Sequence, residues 1–212
     1  MARTKPTKHA RPLPTAKPKG IRAAVSDIVC SQTSKYMRDY FKENPRATFE
    51  DARDLVRLFV KGALPCTWDH LGPLDEESDE RVKAALLALN EAGVVTTCSQ
   101  PGVRGRQFGQ HEFVTFYTGL GRPTYMKRLR EWAAAEKYVV NTFAPDARFD
   151  PDAETAMDVT FWHGVGCTRI GRGGDGAAPP HAELYVEVAD SVLGRTGMLD
   201  RLAEHMATWT AE

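Results

Sequence analysis

The chain has 212 residues, of which 42% are hydrophobic and 26% charged, values of an ordinary globular protein. No apolar run approaches the ~20 residues of a membrane-spanning helix, and no apolar signal core follows the basic N-terminus, so the expectation is a soluble protein of the cytoplasm, the host's if the chain is viral. The four cysteines form no CxxC pair, which argues against a zinc ribbon or a thioredoxin-type site and fits reduced, mostly buried thiols.

The formal net charge of zero is unevenly spread. Residues 1–22 carry Arg3, Lys5, Lys8, Arg11, Lys17, Lys19 and Arg22 and no acid, which leaves 21 cations against 28 acids in the rest. Four prolines fall in the same stretch. Proline removes backbone donors and like charges repel, so a disordered basic arm is expected at 1–22, before a single α+β domain at 23–212. The arm's cations suit nucleic acid, or the surface of an acidic protein, with strong salt dependence. Without Met1 the chain would begin Ala2-Arg3-Thr4-Lys5, which resembles the start of a core-histone tail.

Apolar residues from Val25 to Asn44 recur at helical spacing, with Ser26 as N-cap and Pro45 past the end. Thr48 opens a second helix, with Asp51 placed for a capping box and Gly62 for its end. Ala63 to Leu74 is a loop holding Cys66, Trp68, Asp69 and His70. A third helix follows, its start crowded by Asp75, Glu76, Glu77 and Asp79, which suits the positive end of the helix dipole. Gly93 stops it, and Val94 to Cys98 reads as a β-branched strand that Ser99-Gln100-Pro101-Gly102 breaks.

Val103 to Gln110 reads as a glycine-rich loop and Phe113 to Thr118 as an alternating strand. A helix is expected over Thr124–Lys137, then strands at Tyr138–Phe143, around Thr160–His163 and at Leu184–Val188. Gly171 to Pro180 has the composition of a loop. A last helix is expected from Ser191 to Trp209, with Leu199, Leu202, Met206 and Val192 inward. Strands and helices do not alternate regularly, so a mixed, mostly antiparallel sheet with helices packed on it fits better than a doubly wound sheet.

The glycine-rich stretches lack the Lys-Ser/Thr of a phosphate loop, and the histidines are dispersed, so neither a cofactor nor a metal site is expected. Two loops, Trp68–His70 and Ser99–Gly102, bracket one helix and one strand. The expected ligand-binding residues are therefore Trp68, His70, Asn90, Ser99, Gln100 and Gln107, offering flat walls and neutral hydrogen-bonding groups. The catalytic alternative uses Cys98 or Ser99 as nucleophile with His70 as base.

Gly72-Pro73 with Glu77-Ser78, then Leu89-Asn90-Glu91-Ala92-Gly93-Val94-Val95-Thr96-Thr97, then Ser99-Gln100-Pro101-Gly102, resemble an uncharacterised bacterial and phage domain family with an L-N-x-A-G-x-x-T-x-x-S-Q-P-G signature. Glu91 and Val94 stand where that family usually has Arg and an aromatic residue. The resemblance implies a common fold and a common pocket and names no activity. Three functions follow: an accessory binding domain with a polar cleft near the Ser-Gln-Pro-Gly turn and a basic arm, a hydrolase or transferase using Cys98 or Ser99 with His70, and a structural virion component.

Overall fold

The computed structural model describes residues 45–64, 80–119, 123–148, 150, 152–171 and 178–209. The basic arm, the helix expected over 25–44, and the segment holding Trp68, His70 and the acids 75–79 lie outside the described residues.

Helix α1 spans Phe49–Val60. Its start is the expected capping box: Thr48 Oγ1 accepts from the Asp51 N–H at 3.2 Å, and Asp51 Oδ2 accepts from the Thr48 N–H at 2.7 Å. Ala52, Leu55, Val56, Phe59 and Val60 are buried, and Gly62 ends the turn with φ +69. Helix α2, Glu80–Glu91, buries Val82, Ala85, Leu86 and Leu89. Gly93 takes φ +96, a region cheap for glycine, and turns the chain directly into strand β1, Val94–Gln100.

Two antiparallel four-stranded sheets follow, where one sheet was expected. The first has the order β1-β4-β8-β5, with β4 at Phe113–Gly119, β5 at Tyr138–Phe143 and β8 at Ala182–Asp190. Helix α3, Pro123–Glu136, connects β4 to β5. The second sheet has the order β2-β3-β6-β7: Val103–Arg104, Phe108–Gln110, Met157–Trp162 and Val165–Ile170. Helix α4, Met198–Trp209, closes the described chain.

The second sheet escapes a pattern search for physical reasons. β2 and β3 have two and three residues, too short to show a period. His163, expected within a strand, and Gly164, expected with Gly166 to end it, form a hairpin turn with φ +49 and +80, and Trp162 pairs with Val165. Left-handed backbone at both central residues matches the twist of the flanking strands. Strand β1 runs on through Ser99 and Gln100, so the turn begins at Pro101. Helix α4 begins at Met198 and not at Ser191, because Glu112 caps it there and Gly194 and Gly197 hold left-handed turns before it. Val192, expected inward, is exposed.

The main core joins the helix stripes to Val114, Phe116, Val186 and Val188 of the first sheet, with Leu129, Met198, Leu199, Leu202 and Met206. Phe113 and Ala189 face the opposite way and meet Val159 and Ile170 of the second sheet. β4 is therefore buried along its whole length instead of alternating.

Candidate functional site

Successive strand residues point to opposite faces, and this divides the expected cleft. A bulge at Thr97 shifts the pairing of β1, so that Thr96 faces Phe116 and Cys98 faces Thr115. The Thr115 hydroxyl fills the bulge, meeting Thr97 Oγ1 at 2.6 Å and accepting from the Cys98 N–H at 3.1 Å. Beyond the bulge Cys98 and Gln100 share one face of the sheet, and Ser99 points to the other. Cys98, contrary to the expectation of buried thiols, is exposed. Gln107 is exposed in the turn between β2 and β3. Trp68 and His70 lie outside the described residues.

Asn90 is fully buried and ties α2 to the edge of β1. Its Nδ2 donates to Leu86 O and to Thr96 Oγ1, each at 2.7 Å, and its Oδ1 accepts from the Thr96 N–H at 3.3 Å. β1 is the edge of its sheet, so this outward N–H has no strand to bond, and Asn90 replaces one.

The Ser-Gln-Pro-Gly turn is a joint between the sheets. Thr160 Oγ1 of β6 donates to Gln100 Oε1 at 2.9 Å, and Gln110 Nε2 of β3 donates to Pro101 O at 2.6 Å. Gly102 lies flush against the backbone of Arg195: a Cβ there would sit 2.0 Å from Arg195 O. The Arg195 side chain is fixed in turn by Asp190, whose Oδ2 accepts from Nε at 2.5 Å, and by Glu136 O at 3.2 Å. The bond to Asp190 holds the Arg195 pKa above its ordinary value. Arg195 also lies over the Tyr138 ring, 5.0 Å from its centroid, while Arg201 Nε donates to Tyr138 Oη at 2.9 Å. Burial raises the Tyr138 pKa, and the Arg201 bond opposes that rise.

Glu112 completes the joint. Its Oε2 accepts from the Met198 N–H at 2.5 Å, satisfying the start of α4. Burial pushes its carboxyl pKa up, against the lowering effect of the Met198 and Leu199 N–H groups. A cavity of about 30 Å³ beside it, lined by Arg81, Pro101, Thr196 and Asp200 among others, has room for about one water.

On the Cys98 face, Thr115, Glu187 and Asn141 stand in register across three strands. Glu187 is buried, and its Oε2 accepts from the Gly171 N–H at 2.5 Å and from Asn141 Nδ2 at 3.4 Å. Burial raises its pKa, and those two bonds oppose the rise. Its visible work is to hold the end of β7 onto the first sheet.

The side chains least explained by packing lie at the far end of the second sheet. Trp162 is 55% exposed and Val165, its partner in the turn, 67%. Phe108, paired with Trp162, lies 6.1 Å away centroid to centroid. The His163 N–H donates to Gln107 O at 2.7 Å, which brings the β6–β7 turn against the β2–β3 turn. Arg104 and Arg106 are exposed there, and among the described residues neither is in an ion pair. Neither turn contains an acid, although residues 23–212 as a whole are acidic.

A family model described as a domain of unknown function, DUF6919, matches residues 44–206. The chain belongs to this family. A comparison with curated proteins found no match. The DUF6919 span includes every described strand and leaves the basic arm outside. Among its described residues no group of three or more His, Cys, Asp or Glu side chains is placed to hold a metal ion, and no helix is long and apolar enough to cross a membrane.

Sequence reasoning missed Glu112, Glu187, Asp190 and Arg195, and it missed Trp162. The acids had a signal: Glu187 interrupts the apolar run Val186-Glu187-Val188-Ala189, and Glu112 and Asp190 stand directly at the ends of apolar runs. A charge in a buried run needs a partner, which is a reason to look for one. Trp162 had none, because an exposed and a buried tryptophan look alike until the turn after it is known.

Proposed function

We propose that this is an accessory binding domain for a polyanionic partner, a nucleic acid or an acidic protein, held by the cations of residues 1–22 together with the turn end of the second sheet. The observation that carries this is the exposed Trp162 at the end of a sheet where Arg104 and Arg106 are exposed and, among the described residues, in no ion pair, with turns that contain no acid in a chain whose residues 23–212 are acidic as a whole. Long-range attraction from the arm would draw the partner in, and the turn end would give it a surface to rest on. The polar cleft expected near the Ser-Gln-Pro-Gly turn contributes less to this function, since Asn90 and Gln100 already spend hydrogen bonds inside the fold.

Titration of labelled DNA, RNA and polyglutamate over a range of salt, with the full chain and with a chain lacking residues 1–22, tests the proposal. Affinity should fall with salt, and truncation should weaken it. Equal binding by the truncated chain removes the arm from the account, and no binding of any polyanion removes the function.

One observation favours a second reading, the hydrolase or transferase: the Cys98 thiol is exposed. Ser99 points to the opposite face, so the two are separate candidates. The alkylation rate of Cys98 against pH decides it. An apparent pKa below the ordinary ~8.5 that returns to normal in His70→Ala supports the pair, and an unshifted profile ends that reading.

A further inference from the structure

We infer that the turn end of the second sheet is a stacking platform for the bases of single-stranded nucleic acid. The inference rests on the polyanion reading above and narrows it to one partner and one surface. The register places Phe108, Trp162 and Val165 in one row across three adjacent strands. The His163 ring lies 5.5 Å from the Trp162 ring at 81°, and the Phe108 ring 6.1 Å away at 59°. These neighbours brace the indole, and it is still more than half open to solvent.

An open indole, braced by its neighbours next to a turn that carries Arg106, distinguishes among polyanions. An acidic peptide needs cations and gains little from an aromatic face. A duplex keeps its base faces stacked on one another and offers only groove edges and phosphates. A single strand presents both groups this surface has a use for: base faces for Trp162 and Phe108, and phosphates for the exposed Arg106 of the adjoining turn. The charge around the row points the same way. Residues 101–111 and 159–174 contain no acid, so a phosphate chain laid across both turns meets no like charge from either. Because every base has a flat face, the platform would be tolerant of sequence.

The experiment uses the full chain and four probes: oligothymidylate, oligoadenylate, a duplex of the same length, and polyglutamate. Trp162→Ala, Trp162→Phe and Arg106→Gln are compared with the wild type. The indole is on the surface, so these variants should fold, which thermal midpoints will check. Both single strands should bind more tightly than the duplex or polyglutamate. Trp162→Ala should weaken single-strand binding about tenfold, and Trp162→Phe should restore most of it. The arginine variant should reduce the slope of log K against log salt by about 0.7 for each phosphate it no longer neutralises. If the duplex or polyglutamate binds as well as the single strands and Trp162→Ala changes nothing, the platform is overturned while the polyanion function stands. If no probe binds, both fall.

Discussion

Replacing Gly102 by Ala tests whether the Ser-Gln-Pro-Gly turn is a packed joint. The new Cβ would lie 2.0 Å from Arg195 O, 2.8 Å from Arg195 C and 3.3 Å from Gly194 C. All three are backbone atoms, so no side chain can swing away, and one segment must retreat by more than an ångström. The segment cannot do so freely. Arg195 is bonded to Asp190 and to Glu136 O, and Pro101 to Gln110. Overpacking of a fixed interior typically costs about 1–3 kcal/mol, and each hydrogen bond that breaks adds about 1 kcal/mol. We expect a loss of about 3 kcal/mol, which for a chain of this size lowers Tm by about 6–12 °C. Gly164→Ala is the control. Its φ is +80 with nothing within 4 Å of the new Cβ, so only the backbone penalty of about 1 kcal/mol should appear. Urea unfolding of both variants at 25 °C measures the difference. If Gly102→Ala loses no more than Gly164→Ala, the turn is not a joint and its glycine needs another explanation.

Asn90→Ala leaves the buried Thr96 N–H without an acceptor and should cost about 2–3 kcal/mol, and an unchanged urea midpoint would show that the edge of β1 is satisfied some other way. The pH dependence of stability should carry the mark of Glu187. Its pKa in the folded chain is raised above 4.5 by burial, so over that window the folded state keeps a proton the unfolded state has lost, and stability falls as pH rises through it. Glu187→Gln should flatten that fall in Tm measurements from about pH 4 to pH 8, and an identical slope in the variant would contradict the assignment.

The elements that were legible in the sequence are those whose signals are local. The Thr48 capping box, the glycine stops at Gly62 and Gly93, and strand β5 all depend on a few neighbouring residues. The start of α4 was not legible, because its cap is Glu112, 86 residues away in the chain. The second sheet was not legible because its identity depends on the His163–Gly164 turn, and a glycine read alone suggests an end as readily as a hairpin. The candidate site divided in the same manner. Asn90 and Gln100 stood out as polar residues beside apolar ones, and packing alone did not say whether they serve a ligand. Their bonds to Thr96 and Thr160 give each a role within the fold. Trp162 became visible only once two turns distant in sequence came together at Gln107 and His163.

The most direct test of the central claim is the affinity of the full chain for oligothymidylate measured over a range of salt, with and without Trp162. A stacking interaction carries no charge, so the account predicts that Trp162→Ala shifts the plot of log K against log salt down by about one decade and leaves its slope unchanged. Superimposed lines for the wild type and Trp162→Ala would contradict it.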